Sequence, residues 1–351
     1  MGIWYATRED VKSALDFKET ARTNAAVDRA LDAASRSVEG LCNRRFYPEI
    51  ATRLWDWPNG QTARPWRLWL DANELISITA MSAAGVVIPA LDYNLEPNTS
   101  GPPYNRVELD IGSDATFGGG ATYQRNISIS GLFGYSNEET VLGATTEALD
   151  ASETGVDVDA ATSAAVGVGS LVRVDGERMT VVGRSMLDTG QTLAADLTSQ
   201  VNAVTVPVAN GAGFAVDEVV LIDGERMLIV DIAGNTLIVK RGWDGSTLAP
   251  HMTRASLYAA RSLTVRRAVL GTIAASHALG ATVVRWDPPG PVRTLTIAEA
   301  LNRVLQEQAG WLRMAGGTGS SGGKEATLTA LADLREQTFE SHGRKARTRA
   351  V

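Results

Sequence analysis

The sequence has very few of the cysteine and histidine residues that form disulfides and bind metal ions. Its 351 residues include one cysteine, Cys42, and three histidines. A single thiol cannot form an internal disulfide or a metal cluster, so we expect packing alone to hold the fold together. No second ligand lies at zinc spacing from His251, His277 or His342. We therefore predict no metal site and no bound cofactor.

Long apolar runs and an excess of positive charge are also missing. No run of about 18 apolar residues occurs, so we predict no membrane span. The formal net charge is −7, and the composition as a whole does not indicate a nucleic-acid-binding protein. No secretion signal precedes the first predicted helix, so we expect the chain to stay in a cytosol-like compartment.

Fingerprints of catalysis are absent as well. The sequence has no Gly-x-Ser-x-Gly elbow and no dinucleotide-binding motif in a strand-to-helix context. A glycine-rich stretch at 316–323 precedes Lys324, but Glu325 stands where a phosphate loop needs Ser or Thr. We interpret this stretch as a flexible hinge. The protein is predicted not to be an enzyme, and no catalytic residue is assigned.

The patterns that are present predict helices at both ends and strands between them. Thr7 is a suitable N-cap for a first helix. Apolar residues at spacings of three and four predict a second helix over roughly 22–42. The period then changes to two, and short strands are predicted over roughly 51–130. Two further helices are predicted at roughly 295–314 and 324–340.

One five-residue block, Asp-Gly-Glu-Arg-Met, occurs twice between runs of β-branched residues. It begins at Asp175 and again 48 positions later at Asp223. Residues 155–158 match residues 203–206 at the same spacing. This repetition predicts a β-rich module made by duplication.

A second echo in the same region has a different spacing. Residues 237–241 and 263–267 lie 26 apart, and each segment is followed by a glycine, a hydroxyl residue and a histidine. Because His251 and His277 occupy equivalent repeat positions, we expect them to cap loops. The whole module is placed at 137–290.

The repeated block is interpreted as a hairpin turn. Asp-Gly between alternating apolar runs is a strong hairpin signal, because glycine adopts positive φ without strain and aspartate tolerates the other turn position. The predicted turn residues are Asp175, Gly176, Asp223 and Gly224. The alternative is a duplicated active site in which the acidic side chains of the block act as an acid and base pair.

The C-terminal segment is basic. Arg344, Lys345, Arg347 and Arg349 cluster there. Such a segment can bind phosphates of nucleic acid, remain a solvated end, or order on a partner protein. The sequence does not decide among these three alternatives.

Several short segments share residues with a known family. Two short helices lead into VEGLCNRRFYP at 38–48, and strands follow at 70–71, 76–79 and 92–95 before ISISGLFGY at 127–135. Together these segments resemble the head-to-tail adaptor (head-completion, connector) proteins of long-tailed bacteriophages. The segment 267–281 also looks like a Gly-Thr…Ala…His…Gly stretch that recurs in β modules of phage structural proteins.

The resemblance implies an α+β fold. A helical adaptor body with a small β-sheet would occupy 1–136. An inserted all-β repeat module at 137–290 would be followed by C-terminal helices, a Gly/Ser hinge and a basic arm at 291–351. Smaller adaptors lack such a module.

The resemblance also implies a structural role at the capsid–tail junction of the virion, after assembly in the host bacterial cytoplasm. The chain would form a homododecameric ring that joins the portal protein to tail-side neck proteins. Double-stranded DNA would pass through its channel without sequence-specific binding. Portal contact would fall to the basic residues Arg344, Lys345, Arg347 and Arg349.

Three alternatives remain beside this hypothesis. The first is a stopper or tail-side completion protein of the same neck. The second is a surface- or carbohydrate-binding β protein, which predicts exposed aromatic rings around Trp243 and Trp286. The third is a hydrolase that uses Asp175 and Asp223.

Overall fold

A computed structural model of the protein describes residues 2–15, 21–61, 63–314 and 322–345. The chain divides into two compact units. Unit 1 contains Met1–Val38 and Glu139–Glu336, and unit 2 contains Glu39–Glu138 and Gln337–Val351. The insertion boundaries at 136/137 and 290/291 stay predictions, since compactness does not reveal where a segment was inserted.

Helices make up the smaller part of the structure. They are α1 (Arg8–Leu15), α2 (Ala21–Cys42), α3 (Ala160–Ala165), α4 (Gly290–Met314) and α5 (Gly322–His342). The division between the units falls inside α2 and inside α5. Within the described residues, no helix combines the length and the apolar character needed to cross a membrane.

The predicted start of the first helix, with Thr7 as its N-cap, is confirmed. The Thr7 hydroxyl accepts a hydrogen bond from the Asp10 backbone N–H at 3.1 Å, and the Asp10 carboxylate accepts one from the Thr7 N–H at 2.9 Å. This reciprocal cap satisfies two N–H groups that the first turn would leave unpaired. The apolar stripe of α2 is buried with Val11 and Val304 in unit 1. Cys42 is also buried.

Unit 2 is built from two antiparallel sheets. Its strands are β1 (Glu49–Trp55), β2 (Arg67–Trp69), β3 (Leu75–Ala83), β4 (Val86–Val87), β5 (Tyr93–Glu96), β6 (Arg106–Leu109) and β7 (Ile127–Phe133). One sheet has the order β1-β7-β3-β4 and the other β2-β6-β5. Alternate residues of both sheets, such as Ile129 and Val107, form one buried cluster. The core of this unit is therefore made by strands.

The predicted fold class, a helical body with a small sheet, is wrong. The structure is 35% strand and 23% helix, and its sheets are large and antiparallel. The physical reason lies in the short strands between 49 and 133. Each buries one face by alternation, and two sheets that pack on each other need no helical layer to complete a core.

Unit 1 contains a ten-stranded sheet. Its strands are β8 (Glu139–Ala144), β9 (Gly155–Asp157), β10 (Leu171–Val174), β11 (Glu177–Thr192), β12 (Thr205–Pro207), β13 (Val219–Ile222), β14 (Glu225–Ala233), β15 (Thr236–Lys240), β16 (Ser256–Arg266) and β17 (Thr282–Trp286). The order is β12-β15-β14-β13-β16-β11-β10-β17-β8, and β9 pairs with β16. The module was predicted to be all-β, but the short helix α3 lies between β9 and β10.

The two sequence repeats are nested. Repeat 1 consists of 145–185 and 262–281, whereas repeat 2 is continuous over 193–255. In repeat 2 the turn Gly234-Asn235 joins the paired residues Ala233 and Thr236. The equivalent pair of repeat 1 is Ser185 and Ser262, and the chain between them contains all of repeat 2. Repeat 2 thus extends from the tip of a hairpin of repeat 1.

The structure also corrects the register of the first strand of each repeat. Val156 pairs with Leu263, and Val206 pairs with the equivalent residue Leu237. Val156 therefore corresponds to Val206, whereas the sequence match at constant spacing placed it against Val204. Repeat 2 carries two extra residues in the preceding loop, which a comparison without gaps does not detect.

Candidate functional site

Each Asp-Gly-Glu-Arg block lies where the sequence analysis placed a turn. Asp175 and Gly176 connect β10 to β11, and Asp223 and Gly224 connect β13 to β14. Both aspartates adopt the left-handed conformation, with φ of 50° and 51°. Aspartate is one of the few residues other than glycine that tolerates this region, which explains its position in both turns.

The glutamate of each block is buried and paired with an arginine that directly follows the end of a neighbouring strand, Arg267 after β16 and Arg241 after β15. In repeat 2, Arg241 donates from Nε and Nη2 to the Glu225 carboxylate at 2.7 and 2.8 Å. The two side chains are only 1% and 0% exposed. In repeat 1, Arg267 donates to Glu177 at 2.8 and 2.7 Å. This two-point geometry is the strongest form of a carboxylate–guanidinium pair.

A buried histidine joins the aspartate to the glutamate in both repeats. His277 places Nδ1 at 2.8 Å from the Asp175 carboxylate and Nε2 at 3.0 Å from the Glu177 carboxylate. His251 makes the same two contacts, at 2.7 and 3.0 Å, in repeat 2. Each ring thus contacts both carboxylates of its block, one through each of its nitrogens.

Backbone groups complete the set of donors around each glutamate. The N–H groups of Ala268 and Ala275 donate to Glu177, both at 3.0 Å. Burial would raise the pKa of Glu177, but the hydrogen bonds from Arg267, Ala275 and His277 outweigh it and lower the pKa to about 2. Glu225 has the same pKa for the same reasons.

This electrostatic arrangement argues against Glu177 and Glu225 as general bases. A general base needs a pKa near the working pH. The pKa of each of these glutamates lies far below neutral pH, so both stay ionised there. Each cluster instead connects a turn, a strand end and a loop through one buried charge network. Among the described residues, no group of three or more His, Cys, Asp or Glu side chains is arranged to hold a metal ion.

Sequence patterns predicted the turns and the positions of the histidines but not the network that joins them. The Asp-Gly-Glu-Arg block and the Arg…His echo look like separate features in the sequence. They belong together because Glu177 contacts Arg267 across 90 positions and Glu225 contacts Arg241 across 16. The sequence did contain a signal for this network. Glutamate recurs at a spacing of 48 and arginine at a spacing of 26, and charged residues need partners if they are buried.

The aromatic residues of the β module do not form the exposed cluster that carbohydrate binding predicts. Trp286 is 4% exposed, so its ring belongs to the core. Trp243 is half-buried, and the Lys240 Nζ lies 4.6 Å from its ring centroid. The exposure that this alternative requires is therefore absent at Trp286.

In unit 2, the basic C-terminal segment begins in an ordered site. The Arg344 N–H donates to the Cys42 carbonyl at 2.9 Å, and the Arg344 guanidinium donates to the Ala72 carbonyl at 3.1 Å. The guanidinium also lies 3.3 Å from the Glu74 carboxylate. Arg344 therefore anchors the segment to its own unit.

Glu74 connects this anchor to the segments that carry the family resemblance. Its other carboxylate oxygen lies 3.2 Å from Arg44, whose guanidinium lies 4.7 Å from the centroid of the Tyr135 ring. The rings of Phe46 and Tyr135 are 5.4 Å apart, and His342 of α5 lies 5.6 Å from Tyr135. Segments 38–48 and 127–135 thus meet around the end of α5.

A cavity of about 640 Å³ opens beside this contact. Its wall includes Arg44, Trp69, Asn105 and Arg344, and Lys345 lies at the same site and is exposed. Arg347 and Arg349, the other two predicted portal-binding residues, lie outside the described residues, as does most of the predicted hinge. The portal contact of all four basic residues stays a prediction.

Comparison with known proteins gives no relative. No protein-family profile, no curated protein and no solved structure matches the chain.

Proposed function

We propose that the protein is a structural component of the bacteriophage neck. It forms an oligomeric ring that binds the portal on one side and tail-side neck proteins on the other, and DNA passes through the ring without sequence-specific contacts. In this role the protein acts in the virion, at the capsid–tail junction, and has no enzymatic task. A dodecameric ring is the form that the resemblance implies.

One observation carries this proposal. The segments that resemble the adaptor family are separated by many residues, yet 38–48 and 127–135 converge at one place, where the basic C-terminal segment begins. Arg44 and Arg344 share Glu74 there. A fixed base allows the following residues to reach a partner, since an anchored segment loses less conformational freedom on binding than a free one.

The charge distribution supports the same role. The overall charge of −7 disfavours tight binding to DNA. Four basic residues, Arg344, Lys345, Arg347 and Arg349, cluster in the C-terminal segment, where they can meet an acidic protein surface and orient the encounter. The buried histidines and glutamates of the β module contact each other and connect parts of its fold, so a structural role is enough to account for them.

The proposal is tested with purified protein and the portal of the same phage. Mass photometry and particle images should show rings, and rings should bind portal. A chain that lacks residues 346–351 keeps Arg344 and its contacts, so we expect it to form rings but to lose portal binding. A chain that stays monomeric with portal and in virions would refute the ring. Rings that bind tail-side proteins but not portal would establish the stopper or completion alternative instead.

A further inference from the structure

One segment of unit 2 exposes most of a run of apolar residues. Residues 84–91 read AGVVIPAL, and apart from Ala84 and the buried Ile88 all of them are exposed. Val86 and Val87 are 70% and 71% exposed, and Leu91 is 92% exposed. Ile111, at 77%, is adjacent because the Asp110 N–H donates to the Asp92 carbonyl at 2.8 Å. We call this surface the apolar knob.

An exposed run of this kind needs a partner. Exposed apolar residues are common singly, but several in succession without a charge are found where a surface is buried in a complex. At roughly 25 cal/mol per Å² of apolar area, covering side chains of this size is a substantial driving force for association. The apolar knob therefore has the properties of a contact surface.

The same unit presents a second uncharged surface. Strand register places one row of side chains on the outer face of the sheet β1-β7-β3-β4, because residues opposite each other in antiparallel strands share a face. The row is Leu54, Ser128, Ser82 and Val87. Two further rows are Thr52, Ser130 and Ala80, and Ile50, Leu132 and Ser77. We call this surface the flat face.

None of these ten described positions carries a charged side chain, and Ile50 and Leu54 are 45% and 48% exposed. The solvent side of an antiparallel sheet ordinarily carries polar and charged residues. Depletion of charge is a mark of interface cores. The small Ser, Ala and Thr side chains also let another chain approach the sheet closely.

The apolar knob and the β1 side of the flat face lie at opposite edges of one sheet. Val86 and Val87 of the knob belong to the edge strand β4, whereas Ile50, Thr52 and Leu54 belong to β1 at the other edge. A contact between two different patches of the same chain is heterologous, and its repetition generates a ring when the rotation closes. One type of contact then covers both apolar surfaces on every copy.

We infer that the apolar knob of one copy docks on the β1 side of the flat face of the next copy. This inference rests on the proposed ring and names the surfaces that build it. The occupant of each surface is a second copy of this chain. A portal or tail protein at the knob is the competing outcome of the test.

Disulfide cross-linking distinguishes these outcomes. Leu91→Cys and Thr52→Cys variants are mixed and oxidised; the native Cys42 is fully buried and does not compete. We expect a cross-linked dimer from the mixture, and a ladder of higher oligomers from the double variant. Leu279→Cys, at a leucine 67% exposed in the β module, replaces Leu91→Cys in the control and should give no cross-link with Thr52→Cys.

Charge substitution provides a second measurement. Leu91→Glu should reduce the ring fraction at least tenfold at a concentration where the parent assembles, whereas Leu279→Glu should leave it unchanged. Intact rings in Leu91→Glu together with no cross-link would overturn the inference while the ring function stands. Cross-linking of Leu91→Cys to itself would indicate a two-fold contact and also overturn it. Both proposals would be overturned if the parent protein formed no rings, with portal or without it, and the two cysteine variants gave no cross-link.

Discussion

At the scale of single residues, the most informative feature is the buried carboxylate of each repeat. Glu225 accepts from Arg241, His251 and two backbone N–H groups, so its charge has a partner on every side. A charge in this position costs a large desolvation free energy that its donors must offset. The cluster therefore stabilises the fold only while all its partners are present.

This condition gives a direct prediction for Arg241→Met. The substitution leaves Glu225 buried without its strongest donor, so we expect the free energy of unfolding to fall by about 3–5 kcal/mol. Arg293→Met is the matched control, since Arg293 also pairs with a carboxylate, that of Asp10 at 2.7 Å, but is 51% exposed. It should cost less than about 1 kcal/mol. Urea unfolding at neutral pH measures both values, and equal costs would contradict the buried-charge account.

At the scale of elements, the sequence predicted the local structure well. Thr7 as an N-cap, the helix that ends at Cys42 and the two Asp-Gly turns depend on short-range chemistry, and short-range patterns are visible in sequence. α4 starts at Gly290, before the predicted 295, because proline fits the first turn of a helix and Pro291 stands there.

The sequence could not predict how the elements assemble. The sheet order of unit 2 depends on pairing between strands as distant as β1 and β7, for which no local signal exists. The nesting of the repeats was hidden for a related reason. Glu177 and Arg267 are 74 residues further apart than Glu225 and Arg241, and a search for one constant spacing finds only half of each repeat at a time.

Nesting predicts that repeat 2 can be removed cleanly. Residues 186–261 are replaced by Gly-Asn, so that the paired residues Ser185 and Ser262 are joined as Ala233 and Thr236 are in repeat 2. We expect a folded protein with cooperative unfolding, in which Arg267→Met still costs about 3–5 kcal/mol. An excision closed at the wrong register, with one residue fewer on one strand, is the control, because it turns every side chain of that strand to the other face. Aggregation of the correctly closed variant would contradict the nested arrangement.

At the scale of the whole molecule, charge is distributed with a clear asymmetry. The chain is acidic overall and many of its arginines pair with carboxylates, whereas Arg344, Lys345, Arg347 and Arg349 cluster in the C-terminal segment. In unit 2, the positions that form the knob and the flat face, which we propose as the contact between copies, carry no charged side chain. Attraction between copies would then be apolar and tolerant of salt, whereas portal binding through the basic segment would weaken as salt is added.

Acid stability is the last whole-molecule property that the structure predicts. Glu177 and Glu225 each have a pKa of about 2 in the folded protein against an ordinary value of 4.5. Because the folded pKa is the lower one, each stabilises the protein above pH 4.5 and loses this contribution as the pH falls from 4.5 towards 2. Each contributes about 3 kcal/mol, so the pair contributes an amount comparable to the whole stability of many domains. Urea unfolding between pH 6 and pH 3 should therefore show a flat region followed by a steep fall. The Glu225→Gln variant, which has one such carboxylate fewer, should show a clearly shallower fall at a lower starting stability. An unchanged slope in the variant would show that these glutamates do not control acid unfolding.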